Sequence, residues 1–75
     1  MSVVMDLNLM KQLELIEKKP SWPVARLAGL LGRPRRYVYR KIDSGSFDVI
    51  NDGGYIKVIS ESVVRYYTED HHRKV

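Results

Sequence analysis

Apolar residues in the first part of the chain recur at helical spacing. Leu7, Met10, Leu13 and Ile16 follow every third position, Asp6 stands where it caps the helix, and Pro20 stops it after Lys18 and Lys19 in the last turn. Leu9 and Leu15 lie off that stripe, so the helix either packs on two sides or leaves apolar surface for a partner. Two-sided packing is the expectation, because a small domain needs every apolar residue it has. Ser21-Trp22-Pro23 then opens a second, short helix in which Val24, Leu27, Ala28 and Leu31 repeat at i, i+3, i+4 and i+7. The methyl side chain of Ala28 admits another helix close to its backbone, and Gly32 suits a helix end with positive φ.

A third helix is predicted over 34–43, beginning at Pro34, whose missing N–H costs nothing in a first turn. With Val38 set at 0°, steps of about 100° per residue put Ile42 near about 40°, Arg36 near about 160° and Arg40 near about 200°, with Tyr37 and Tyr39 on the flanks. The basic residues therefore oppose the core face. Two short helices joined by a Gly-containing turn, the second basic on its outer face, form the pattern of a helix-turn-helix.

After Ser44-Gly45-Ser46 the period changes from 3.6 to 2. A two-residue turn at Asp52-Gly53 pairs Asn51 with Gly54, Ile50 with Tyr55, Val49 with Ile56, Asp48 with Lys57, and Phe47 with Val58. Phe47, Val49, Ile56 and Val58 then share an apolar face, while Asp48 and Lys57 form an opposite-charge pair on the other. A turn at Gly53-Gly54 opposes Asn51 to Ile56 and Ile50 to Lys57, polar against apolar, so the first register is expected. Ser60 caps a last helix carrying Val63, Val64 and Tyr67. The whole reads as one domain over 1–75, with 1–5 and 70–75 as loose ends.

Composition narrows the chemistry. A chain of 75 residues buries about 60% of its unfolded surface, so a large catalytic cleft is not expected. It has no cysteine, which removes disulfides and thiolate zinc sites and makes the cytoplasm the default compartment. No stretch reaches the roughly 20 apolar residues of a membrane span, and the start lacks the basic region of a signal peptide. His71 and His72 point apart on a helix and have no third ligand nearby, so no metal is expected. Paired carboxylates, a Ser/His/Asp order and a glycine-rich phosphate loop are absent as well, so neither catalytic residues nor a cofactor are expected.

Charge is concentrated in one place. Residues 33–41 carry Arg33, Arg35, Arg36, Arg40 and Lys41 and no acid, a net +5, whereas residues 1–32 net +1 and residues 42–75 net −2. The pI of about 9.6 thus reflects one local basic element, which is what binding to a polyanion requires.

From Trp22 to Tyr67 the chain resembles a known family. The residues that carry the likeness are Val24-Ala25-Arg26-Leu27-Ala28-Gly29-Leu30-Leu31-Gly32, then Val38-Tyr39-Arg40-Lys41-Ile42, Gly45, and Ile59 to Tyr67. They are similar to the small MerR-like winged helix of phage and transposon excisionases. The resemblance implies an α+β winged-helix fold: a helix, a helix-turn-helix, a two-stranded hairpin wing and a closing helix. It also implies a role as an architectural DNA-binding factor in recombination. Pro34 stands where the family usually has a Ser or Thr cap, and the helix over 6–19 is additional, which makes a prokaryotic winged-helix repressor the alternative.

On either branch the expected ligand is double-stranded DNA. Base edges in the major groove are assigned to Arg35, Arg36, Tyr37 and Arg40, since an arginine bonds guanine O6 and N7 with two donors at once. Phosphates are assigned to Arg33 and Lys41, and to Tyr37 and Tyr39 through their hydroxyls, with a half-buried structural role equally open for each tyrosine. At the wing, Asn51 offers hydrogen bonds and Lys57 is the only cation, so an orienting contact or a protein contact is expected there. Further partners are a recombinase or copies of the chain along DNA. A protein-interaction module on the same scaffold is the competing class, suggested by apolar residues 1–5, Leu9, Leu15 and the acidic second half. Five phosphate contacts would give a log–log salt slope of about −4.5, which separates the two.

Overall fold

The computed structural model describes the backbone of residues 7–73 and the side chains of residues 7–69. Asp6, the loose end at 1–5 and the side chains of 70–75, His71 and His72 included, lie outside the described residues. Among the described residues the chain is an α+β domain of four helices and one three-stranded antiparallel sheet. In order these are α1 (Leu7–Glu17), β1 (Ser21–Pro23), α2 (Val24–Leu31), α3 (Arg35–Asp43), β2 (Val49–Asp52), β3 (Tyr55–Ile59) and α4 (Ser60–Arg73). The sheet order is β1-β3-β2.

Residues from every helix and from the central strand meet in one core. Leu13 and Ile16 come from α1, Val24, Leu27, Ala28 and Leu31 from α2, Val38 from α3, Val58 from β3 and Val63 from α4, with Phe47 entering from the loop before β2. The four positions expected on α2 are the four it buries. Gly32 closes that helix in the left-handed region at φ 67°, and its N–H and that of Arg33 return to the carbonyls of Gly29 and Ala28.

Four expectations are corrected. Ser21-Trp22-Pro23 does not open a helix but forms β1, pairing Ser21 with Ile59, Trp22 with Val58 and Pro23 with Lys57. Pro23 holds extended backbone at ψ 151°, and on an edge strand its lack of an N–H removes no ladder bond. The Trp22 indole N–H donates to the Ile16 carbonyl at 2.8 Å, and this fixes the strand against the end of α1.

The second correction concerns α1. Its buried stripe is Leu13 and Ile16 with Leu9 packed beside them, whereas Leu7, Met10 and Leu15 are exposed. Packing is therefore one-sided: α1 leans on α2 and α4, and the i, i+4, i+7 set beginning at Leu9 is the one those neighbours cover.

Third, the hairpin turns at Gly53-Gly54, pairing Val49 with Val58, Ile50 with Lys57, Asn51 with Ile56 and Asp52 with Tyr55. A tight hairpin turn with positive φ at both central positions wants two glycines, and Gly53 and Gly54 lie at φ 62° and 91°. Asp48 and Lys57 are consequently not cross-strand partners. Asp48 instead accepts from Arg65 of α4 at 3.0 Å, and Lys57 pairs with Asp52 at 3.0 Å.

Fourth, the Ser60 hydroxyl does not cap α4. It donates to the Lys19 carbonyl while the Ser60 N–H donates to the Pro20 carbonyl at 2.8 Å, so the start of α4 is sewn to the loop after α1. Ser62, within the first turn, supplies the polar contact at that end, accepting from the Asp48 N–H at 2.9 Å and donating to the Ile59 carbonyl at 2.6 Å. No helix among the described residues is long and apolar enough to cross a membrane.

Candidate nucleic-acid interface

The basic run of the sequence becomes α3 and the turn that leads into it. Pro34 occupies the N-cap with extended backbone at ψ 156° and gives the helix no side-chain cap. Arg35 and Arg36 fill the first turn, where the helix dipole disfavours cations and where no acidic residue offsets them. Arg40 and Lys41 in the last turn suit the dipole. The first turn of α3 thus opposes local helix electrostatics, the kind of local conflict expected where a surface has a role besides folding.

Val38 is fully buried and anchors one face of α3, which leaves Arg35, Arg36, Tyr39 and Arg40 exposed. None of the three guanidinium groups takes part in an ion pair among the described residues. They form a positive surface whose donors are open to an incoming ligand. Asp43 ends the same helix and is exposed too, so the positive surface is bounded at its C-terminal end.

The flanking residues behave differently from one another. Tyr39 is exposed, at 52% of its full accessibility, and its hydroxyl is open to a ligand. Tyr37 is half-buried against the core, with its hydroxyl hydrogen-bonded at 2.9 Å to that of Tyr67 in α4. Its ring carries two cations: the Arg33 guanidinium at 5.0 Å and the Lys41 ammonium at 5.2 Å. Lys41 is further held by Tyr66, donating to its hydroxyl at 2.7 Å and lying 4.7 Å from its ring centre. Of the two cations assigned to phosphates, Arg33 is thus exposed and steadied by one ring, whereas Lys41 is half-buried among aromatics.

Tyr66 and Tyr67 were not among the residues expected to serve the site. They pack edge-to-face on each other at 5.0 Å, with Phe47 against Tyr66 at 5.5 Å, forming a three-ring support beneath the flank of α3. Burial, then the hydrogen bond to Tyr37, pushes the Tyr67 hydroxyl far above the ordinary tyrosine value, so it stays protonated. Adjacent aromatics in a closing helix were the signal available in the sequence, but nothing local said which element they would meet.

At the hairpin the polar residues serve their own turn. Asn51 accepts from the Gly54 N–H at 2.9 Å, and Lys57 is neutralised by Asp52. What the hairpin presents is apolar: Ile50, Ile56 and above all Tyr55, at 74% exposure. An open groove of about 670 Å³ between the end of α1 and α4 is lined by no residue of α3. Among the described residues no group of three or more His, Cys, Asp or Glu is placed to hold a metal. No protein-family model, curated protein or solved structure matches this chain.

Proposed function

We propose that the chain is a sequence-specific double-stranded DNA-binding protein of winged-helix type, with α3 as the helix that enters the major groove. The observation that carries this reading is the bare pair Arg36 and Arg40 on the face of α3 opposite buried Val38, with Arg35 exposed at the start of the helix. The element order supports it. A helix and short strand, two helices joined by a glycine turn, and a hairpin whose return strand pairs with the first strand make up the winged-helix plan. An excisionase-type architectural factor of a phage or mobile element, acting beside a recombinase in the cytoplasm, is the role we favour; a prokaryotic repressor is the alternative.

Arg36 and Arg40 read base edges in this proposal, Arg35 and Tyr39 extend the contact, and Arg33 meets a phosphate. Lys41 and Lys57 are given no DNA contact, because aromatic rings hold the first and Asp52 the second. The wing faces a protein rather than a phosphate, since its exposed surface is Ile50, Tyr55 and Ile56. That apolar wing is also what favours the competing reading, a protein-interaction module.

A salt titration of duplex binding decides between them. Two phosphate contacts, from Arg33 and Arg35, give a log–log slope of about −1.8 at about −0.9 per contact, Arg36 and Arg40 being spent on base edges. Binding that is absent, or flat with salt, rejects the DNA reading.

A further inference from the structure

We propose that Tyr67 of α4 is a positioning residue for DNA contact, acting through Tyr37 to fix where the Arg33 guanidinium sits. The proposal rests on the DNA reading and adds to it a residue remote from the basic helix in sequence. The chain of contacts is short. The Tyr67 hydroxyl holds the Tyr37 hydroxyl at 2.9 Å, and the Tyr37 ring lies under Arg33 at 5.0 Å. At its other end Arg33 is fixed by its own backbone, whose N–H donates to the Ala28 carbonyl at 3.0 Å just beyond the Gly32 turn.

An exposed arginine on a turn has many rotamers, and ordering it on a ligand weakens binding by the freedom it loses. Stacked over Tyr37, the guanidinium has already lost much of that freedom and keeps its edge donors for a phosphate. The platform works only while the Tyr37 ring is itself held. Its hydroxyl bond reaches across to α4, where Tyr67 is braced by Tyr66 and Phe47. An arginine in the turn is in this way preset by a side chain contributed by the closing helix.

The test is a double-mutant cycle on the intact chain, read by fluorescence anisotropy with a mixed-sequence duplex, because a phosphate contact is independent of sequence. Tyr67→Phe removes the hydrogen bond but keeps the ring in its edge-to-face stack. It should weaken binding roughly two- to tenfold, the scale of one side chain set free. Arg33→Ala should weaken it further and reduce the salt slope by about 0.9. In the Arg33→Ala background Tyr67→Phe should have no effect on affinity. A Tyr67 that merely stabilised the fold would act equally in both backgrounds, and that outcome overturns the proposal.

Tyr37→Phe deletes the same hydrogen bond from the other side and keeps the ring under Arg33, so it should reproduce the cycle. It also serves if Tyr67→Phe fails to fold. Full affinity in both phenylalanine variants likewise overturns the proposal. Failure of the DNA reading itself looks different: Arg33→Ala, Arg36→Ala and Arg40→Ala would then all bind as the unaltered chain does.

Discussion

Lys57 reaches diagonally along the hairpin to Asp52, Nζ to Oδ2, at 3.0 Å. The pair exists because Asp52 closes the turn opposite Tyr55 while Lys57 stands two residues further along the same face. A turn one residue earlier would place Asp52 inside the loop and give Lys57 to Asp48. Cross-strand proton contacts should therefore link Asn51 with Ile56 and Val49 with Val58. Gly54→Ala, forced to φ 91°, should cost about 1–2 kcal/mol in thermal or denaturant melts. Backbone contacts linking Val49 with Ile56 and Phe47 with Val58 would return the hairpin to the other register.

Arg36→Ala and Arg40→Ala should each lose about 1–3 kcal/mol of specific binding and relax preference at particular base pairs. Arg33→Ala should weaken all sequences alike. Competition between the selected site and its single-base variants separates the two behaviours. Unchanged site preference in both helix variants means that α3 does not read bases.

Lys41→Met tests the aromatic enclosure. The ammonium lies against Tyr66 and Tyr37, so its loss should leave the salt slope of DNA binding where it is. A slope shallower by about 0.9 would show that Lys41 does meet a phosphate.

Val38→Ala removes a fully buried side chain and should lower stability by about 1–3 kcal/mol with site preference intact. Ile16, equally buried, places α1 inside the core; Ile16→Ala should cost about 2–5 kcal/mol. For the same reason a chain lacking residues 1–19 should not fold. A folded, DNA-binding fragment from that deletion would show that α1 is an appendage.

Alkaline titration reports on Tyr67. Its folded value is raised above the ordinary 10.0 by burial, so the fold favours the protonated form. The stability this represents is fully present below pH 10 and is lost as the pH rises above it and through the higher folded value. Melting temperatures on either side of pH 10 should fall less steeply in Tyr67→Phe than in the unaltered chain.

The faces of α2 and α3 were legible because their evidence is local. The four apolar positions of α2, the glycine after it and the opposition of Val38 to Arg36 and Arg40 lie within a few turns of one another, and the fold uses them as read. The hairpin was legible only up to a shift. Moving the turn by one residue keeps every side chain of both strands on its original face, so the apolar pattern is satisfied by either register and glycine backbone preference decides. Three residues ending in proline carry no strand period, and β1 takes its identity from a strand more than thirty residues later. The same holds for Lys41, which reads as a surface cation until α4 brings Tyr66 alongside.

Pairing of Ser21 with Ile59, together with the bonds from Ser60 to Lys19 and Pro20, means that the earliest and latest parts of the domain complete each other. During synthesis the ribosome releases α1, β1 and the basic helix before the segment that covers them exists. Leu27, Ile16 and Val38 have no Val58 or Val63 to pack on until β3 and α4 emerge. Acquisition of structure should accordingly be a single late event, with the rate set by a long loop closure rather than by helix formation. Until that moment the arginine-rich segment is an unfolded polycation, and on the DNA reading proposed above it would select a sequence only once α4 has docked.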